Sequence, residues 1–135
     1  MNTHLPDRRV MLVDDDPEFI EKAREILAGL AELRVVRDAE TALAENLAWR
    51  PELIMLDALF GSGDSFALLD ALKEARPEER IGIICLAKGR GASNHVEPFG
   101  DEVFGMIRRE PYDAALRDHV EEAVRLTDHL RLGAV

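Results

Sequence analysis

The residues best able to do chemistry in this chain are carboxylates. Asp14-Asp15-Asp16 follows the apolar run Arg9-Val10-Met11-Leu12-Val13, and an isolated Asp57 follows Leu53-Ile54-Met55-Leu56. If the two runs are neighbouring strands, their acids meet at one edge of a sheet. Anions held that close repel each other, and a hard divalent cation removes the repulsion. Mg²⁺ suits such a set, because it takes one or two carboxylates and leaves positions for water and phosphate oxygens. The pattern therefore predicts a Mg²⁺ site at Asp14, Asp15 and Asp57. A solvated acidic turn is the plainer reading of Asp14 and Asp15; the matching Asp57 outweighs it. Asp16 precedes Pro17, and that pair suits the N-cap and first position of a helix.

Other candidates are weaker. His4, His95, His119 and His129 are scattered, and His119 and His129, ten residues apart, form no close pair. Cys85 falls inside an apolar run and reads as a small core residue. Trp49 ends a helix and reads as packing. Lys88-Gly89-Arg90-Gly91 reads as a mobile connection more readily than as a phosphate cradle, and no Gly-rich nucleotide fingerprint follows the first strand.

The elements that must position the acids alternate. Strands are expected at 9–13, 33–36, 53–56, 81–86 and 103–107, several apolar enough to be buried on both faces. Helical stripes fall between them: Phe19, Ile20, Ala23, Ile26, Leu27 and Leu30; then Ala39, Ala42, Leu43 and Leu47, with Asp38 as cap; then Phe66, Leu69 and Leu72. The last is Leu116, Val120, Ala123, Val124 and Thr127, with Asp113 as cap. Pro98 interrupts the fourth connection, so any helix between Ala92 and Gly100 should be short or irregular. Strict alternation implies an α/β doubly wound parallel sheet of five strands, flavodoxin-like in its order 2-1-3-4-5, with helices on both faces. Ligands in such sheets lie beyond the carboxyl ends of the strands, where the acids are.

Composition narrows the class. The chain has 135 residues, favouring one domain, with the core at about 9–130 and no room for an output domain. Hydrophobic residues are 47% and charged residues 33%, as in soluble globular proteins. No apolar run approaches the roughly 18 residues of a membrane span. One cysteine fits a reducing cytoplasm. A net charge of −10 argues against direct nucleic-acid binding.

Val10-Met11-Leu12-Val13-Asp14-Asp15-Asp16-Pro17 resembles the opening of response-regulator receiver domains in two-component systems. Pro51-Glu52-Leu53-Ile54-Met55-Leu56-Asp57 resembles their phosphoacceptor strand, and the spacing to Asp64 also matches. The resemblance implies that Asp57 accepts a phosphoryl group from a histidine kinase or phosphotransfer protein. It also implies that Asp14, Asp15, Asp57 and the backbone carbonyl of Leu59 hold Mg²⁺.

Three positions depart from that family. Ala87 stands where a Thr or Ser hydroxyl is expected, Ile107 where an aromatic residue is usual, and Glu110 where a Lys precedes a Pro. Two unit charges about 5 Å apart at an effective dielectric near 20 interact by roughly 3 kcal/mol, so a Glu facing the phosphoryl group would matter. Lys88 and Arg108 are the basic residues placed to substitute. The family's usual Lys-Pro geometry implies a cis Glu110–Pro111 bond. Without the hydroxyl and the aromatic, the signal would have to leave by another route, such as the 88–100 segment.

The sequence thus reads as a stand-alone cytoplasmic receiver, a Mg²⁺-dependent phosphoacceptor at Asp57 and a protein-binding switch with an unknown downstream partner. Its only expected chemistry is self-phosphorylation from a phosphodonor and slow autodephosphorylation. The alternative is a pseudo-receiver that binds its partner without phosphorylation. An aspartate-nucleophile hydrolase of the haloacid-dehalogenase type is a third reading, opposed by Glu18 and by the chain's length.

Overall fold

A computed structural model describes residues 8–57, 65–87, 95–99, 102–108 and 114–131. Strand β1 spans Arg9–Val13, followed by α1 at Pro17–Ile26 and β2 at Glu32–Val36. Helix α2 spans Ala39–Ala48, β3 Leu53–Asp57, α3 Ser65–Glu74 and β4 Gly82–Ala87. Strands β5, at His95–Phe99, and β6, at Glu102–Arg108, precede the long α4 at Ala114–Arg131.

The sheet order is β2-β1-β3-β4-β6-β5. The first five in that order are parallel, so the expected doubly wound order is present, with β6 as its fifth strand. One strand is added. The 95–99 segment, for which the sequence predicts at most a short or irregular helix, pairs antiparallel with β6, with Val96 opposite Gly105 and Pro98 opposite Val103. Proline is tolerated there because an edge strand needs no donor on its open side.

Side-chain alternation divides the core in two. Val10, Leu12, Leu53, Met55, Ile84 and Leu86 face α1 and α4, meeting Phe19, Ile20 and Ala23 of α1 and Leu116, Val120, Ala123 and Val124 of α4. Met11, Val13, Ile54, Leu56, Ile83 and Cys85 face the opposite way, toward Ala42 of α2 and Leu68, Leu69 and Leu72 of α3. Burial pushes the Cys85 thiol pKa up, as suits a core residue. Gly82 lets α4 approach closely: a Cβ there would collide with the Thr127 side chain and a Leu53 methyl.

Polar ties fix the helices. Arg117 of α4 donates to the Ile26 and Ala28 carbonyls at 2.8 and 3.0 Å, satisfying the end of α1. Arg8 pairs with Asp128 at 3.0 Å. On the other face, Arg76 is 2% exposed. It donates to Asn46 Oδ1 at 2.9 Å, to the Pro51 carbonyl at 2.7 Å and to both Glu79 oxygens. Asn46 in turn donates to the Leu72 carbonyl at 2.9 Å, tying α2 to α3. Trp49 is stacked by the Arg34 guanidinium, 4.6 Å from its ring centroid.

The α2 stripe differs from expectation. Ala42 and Asn46 are the buried positions, whereas Ala39, Leu43 and Leu47 are exposed. An alanine-rich helix offers several apolar faces, and the hydrogen bonds of Asn46 select the one turned inward.

Candidate metal and phosphoacceptor site

Asp14 follows β1 directly and keeps its register, because its amide donates to the Val36 carbonyl at 3.1 Å. Its side chain is fully buried, and Oδ1 accepts the Asp16 amide at 3.0 Å. Asp15 is exposed. Asp16 is the N-cap of α1: its side chain accepts the Glu18 amide at 3.1 Å, and Pro17 opens the helix. The capping reading of Asp16 therefore agrees with the structure, and the same turn holds Asp14 inward.

Asp57 ends β3 and is 5% exposed. Strands β1 and β3 are direct neighbours, with Val13 opposite Leu56, so the two tips end side by side. Asp14, Asp15 and Asp57 each offer a carboxylate oxygen within 4.8 Å of the others. Two of these acids are buried and one faces solvent, so the cluster opens on one side. All its donors are hard oxygens. That set fits Mg²⁺ or Ca²⁺ and suits soft metals poorly.

The remaining candidates are distributed as follows. Ala87 ends β4 and is the register partner of Arg108 on β6; Ile107 is the partner of Leu86, which is itself opposite Asp57. Arg108 is thus at the same end of the sheet as the acids, two strands from β3. Leu59, Asp64, Lys88, Arg90, Glu110 and Pro111 lie outside the described residues. Among the described residues, sequence reasoning misses no acid of this cluster. It does miss the buried Arg76 group, which lies toward the opposite end of the sheet and for which nothing in the local pattern gives a signal.

No family model matches the chain. The chain is similar to the nitrogen assimilation regulatory protein NtrX of Azorhizobium caulinodans, 35% identical over an alignment of 143 residues that covers 92% of this chain and 31% of that protein. It is also 32% identical over 81 residues to the photosynthetic apparatus regulatory protein RegA of Rhodobacter capsulatus, covering 58% of this chain and 43% of RegA. The chain thus spans less than half the length of these curated relatives. Among solved structures, the N-terminal domain of a response regulator/sensory box/GGDEF protein from Carboxydothermus hydrogenoformans superposes with a TM-score of 0.66. Identity there is 20%, over 90% of this chain and 97% of that domain. Sequence likeness to regulators, joined to the strand order that sets Asp14 beside Asp57, makes this chain a response-regulator receiver domain.

Proposed function

We propose that the chain is a Mg²⁺-dependent phosphoacceptor in a two-component phosphorelay in the cytoplasm, with Asp57 as the residue phosphorylated. The observation that carries this reading is the meeting of Asp14, Asp15 and Asp57 within 4.8 Å at the tips of adjacent strands.

A carboxylate oxygen of Asp57 attacks the phosphorus of a phosphohistidine on a kinase or phosphotransfer protein. The P–N bond breaks, and its electron pair leaves on the imidazole nitrogen, which takes up a proton. Transfer of this kind depends on positioning and charge neutralisation more than on covalent chemistry by the protein. Asp14, Asp15 and Asp57, with the Leu59 carbonyl, would hold the Mg²⁺, which when bound supplies that neutralisation. The β3 strand orients the nucleophile, and Met55, two residues back on the same side of the strand, is fully buried. Phosphorylation then changes affinity for a downstream protein.

Incubation with acetyl phosphate and Mg²⁺ tests this reading. The expected product is an acid-stable, base-labile adduct mapped to Asp57 and absent from Asp57→Asn. No adduct under conditions where Mg²⁺ binds would overturn the phosphoacceptor role and leave a binding module that works without phosphorylation.

A further inference from the structure

Helix α2 turns Ala42 and Asn46 inward and leaves one broad, mostly apolar face open. Ala39, Leu43, Ala44, Leu47 and Ala48 are exposed, and Glu40 is the one charge among the exposed residues of the helix. Leu43 is 36% and Leu47 50% exposed, and these are the large exposed hydrophobics among the described residues. They lie one turn apart and so form a stripe rather than scattered contacts. A contiguous exposed apolar stripe of this kind marks a surface that another protein covers.

We propose that this stripe docks a second copy of the chain, the two α2 helices lying antiparallel across a two-fold axis. The charges at its ends favour this occupant. Glu40 stands in the first turn of α2. Arg50, just past the last turn, has a positive φ of 56°. Its guanidinium folds back to within 3.5 Å of the Leu47 carbonyl and pairs with Glu79. Glu79 is shared between Arg50 and the buried Arg76, so this group of two cations and one anion keeps that end of the stripe net positive, opposite to the Glu40 end. Reversing one copy on the other sets Leu43 against the partner's Leu47 and Glu40 toward the partner's Arg50. A parallel arrangement would bring like charges together. A two-fold contact needs such a self-complementary patch, and the alanines allow close approach of the two helices.

The dimer is weak. A helix of this length covers less than the roughly 800 Å² per partner of a standard interface. Two copies of charge −10 also repel each other at long range.

Sedimentation equilibrium of the whole chain, from about 10 µM to about 1 mM at near-physiological salt, reads the association. The expected result is a monomer–dimer equilibrium whose dissociation constant rises about tenfold or more in Leu47→Glu, and also rises in Glu40→Arg. Leu47→Glu stays folded because its side chain is exposed, and Glu40→Arg, in the first turn of α2, costs no more than about 1 kcal/mol, so both variants remain folded through the titration. Mixed Leu43→Cys and Leu47→Cys chains form disulfide-linked pairs faster than either chain alone. A monomer throughout this range, a dimer indifferent to both charge substitutions, or equal cross-linking in all three samples would overturn the proposal.

Discussion

Asp14 and Asp57, both buried, lie on adjacent strand tips with a carboxylate oxygen of each within 4.8 Å of the other and of Asp15. Without a cation, this proximity costs stability. Asp14→Asn removes one negative charge while keeping an oxygen that can accept the Asp16 amide. The metal-free variant is expected to be about 1 kcal/mol more stable, a rise of about 4 °C in melting temperature. Mg²⁺ should raise the melting temperature of the parent chain and not that of the variant. Thermal unfolding with and without Mg²⁺ checks both. A variant that Mg²⁺ still stabilises as much as the parent would remove Asp14 from the site.

Glu110 is expected to oppose phosphorylation if it faces the phosphoryl group, as a Lys at that place would favour it. Glu110→Lys should increase the yield or lifetime of the adduct by roughly tenfold, about 1.4 kcal/mol. Adduct decay followed by intact mass reads the change. An unchanged lifetime would show that Glu110 points elsewhere.

Arg76, hydrogen-bonded to Glu79, holds the Glu79 carboxyl below the usual range. A depressed folded-state pKa adds stability above the unfolded value of 4.5, and this is lost as pH falls through the lower folded value. Glu79→Gln should therefore cost about 1 kcal/mol at pH 7, discounted for partial exposure, and progressively less in acid. Urea unfolding at pH 7 and pH 3 measures the difference. An equal cost at both pH values would mean that packing, not charge, is what the substitution removes.

Gly82→Ala should cost about 2–3 kcal/mol, since its new methyl would collide with Thr127 and Leu53. Thr127→Ala in the same chain should recover part of that loss. Chemical denaturation of the single and double variants reads the coupling, and strictly additive costs would contradict the contact.

Much of this fold is legible in the pattern of residue types along the chain. β1 and β3 are buried on both faces and so read as continuous apolar runs, and the α4 stripe from Leu116 to Thr127 has one apolar face only. The acids at 14, 15 and 57 can be placed together because parallel pairing of those two strands leaves their tips little freedom. α2 cannot be oriented in the same way. Its inward face is chosen by Asn46, whose partners are Arg76 and the Leu72 carbonyl, remote in sequence. β5 is obscured for a related reason: His95–Phe99 is short, contains Pro98 and is a strand only because β6 returns beside it.

Every role proposed for Asp57 requires that it share one divalent ion with Asp14 and Asp15. Titration with Mn²⁺ in place of Mg²⁺, followed by loss of the free-ion electron paramagnetic resonance signal, measures this directly. The expected result is one site per chain, competed by Mg²⁺ and lost in both Asp14→Asn and Asp57→Asn. Binding that survives both substitutions, or no binding at millimolar Mn²⁺, would contradict it.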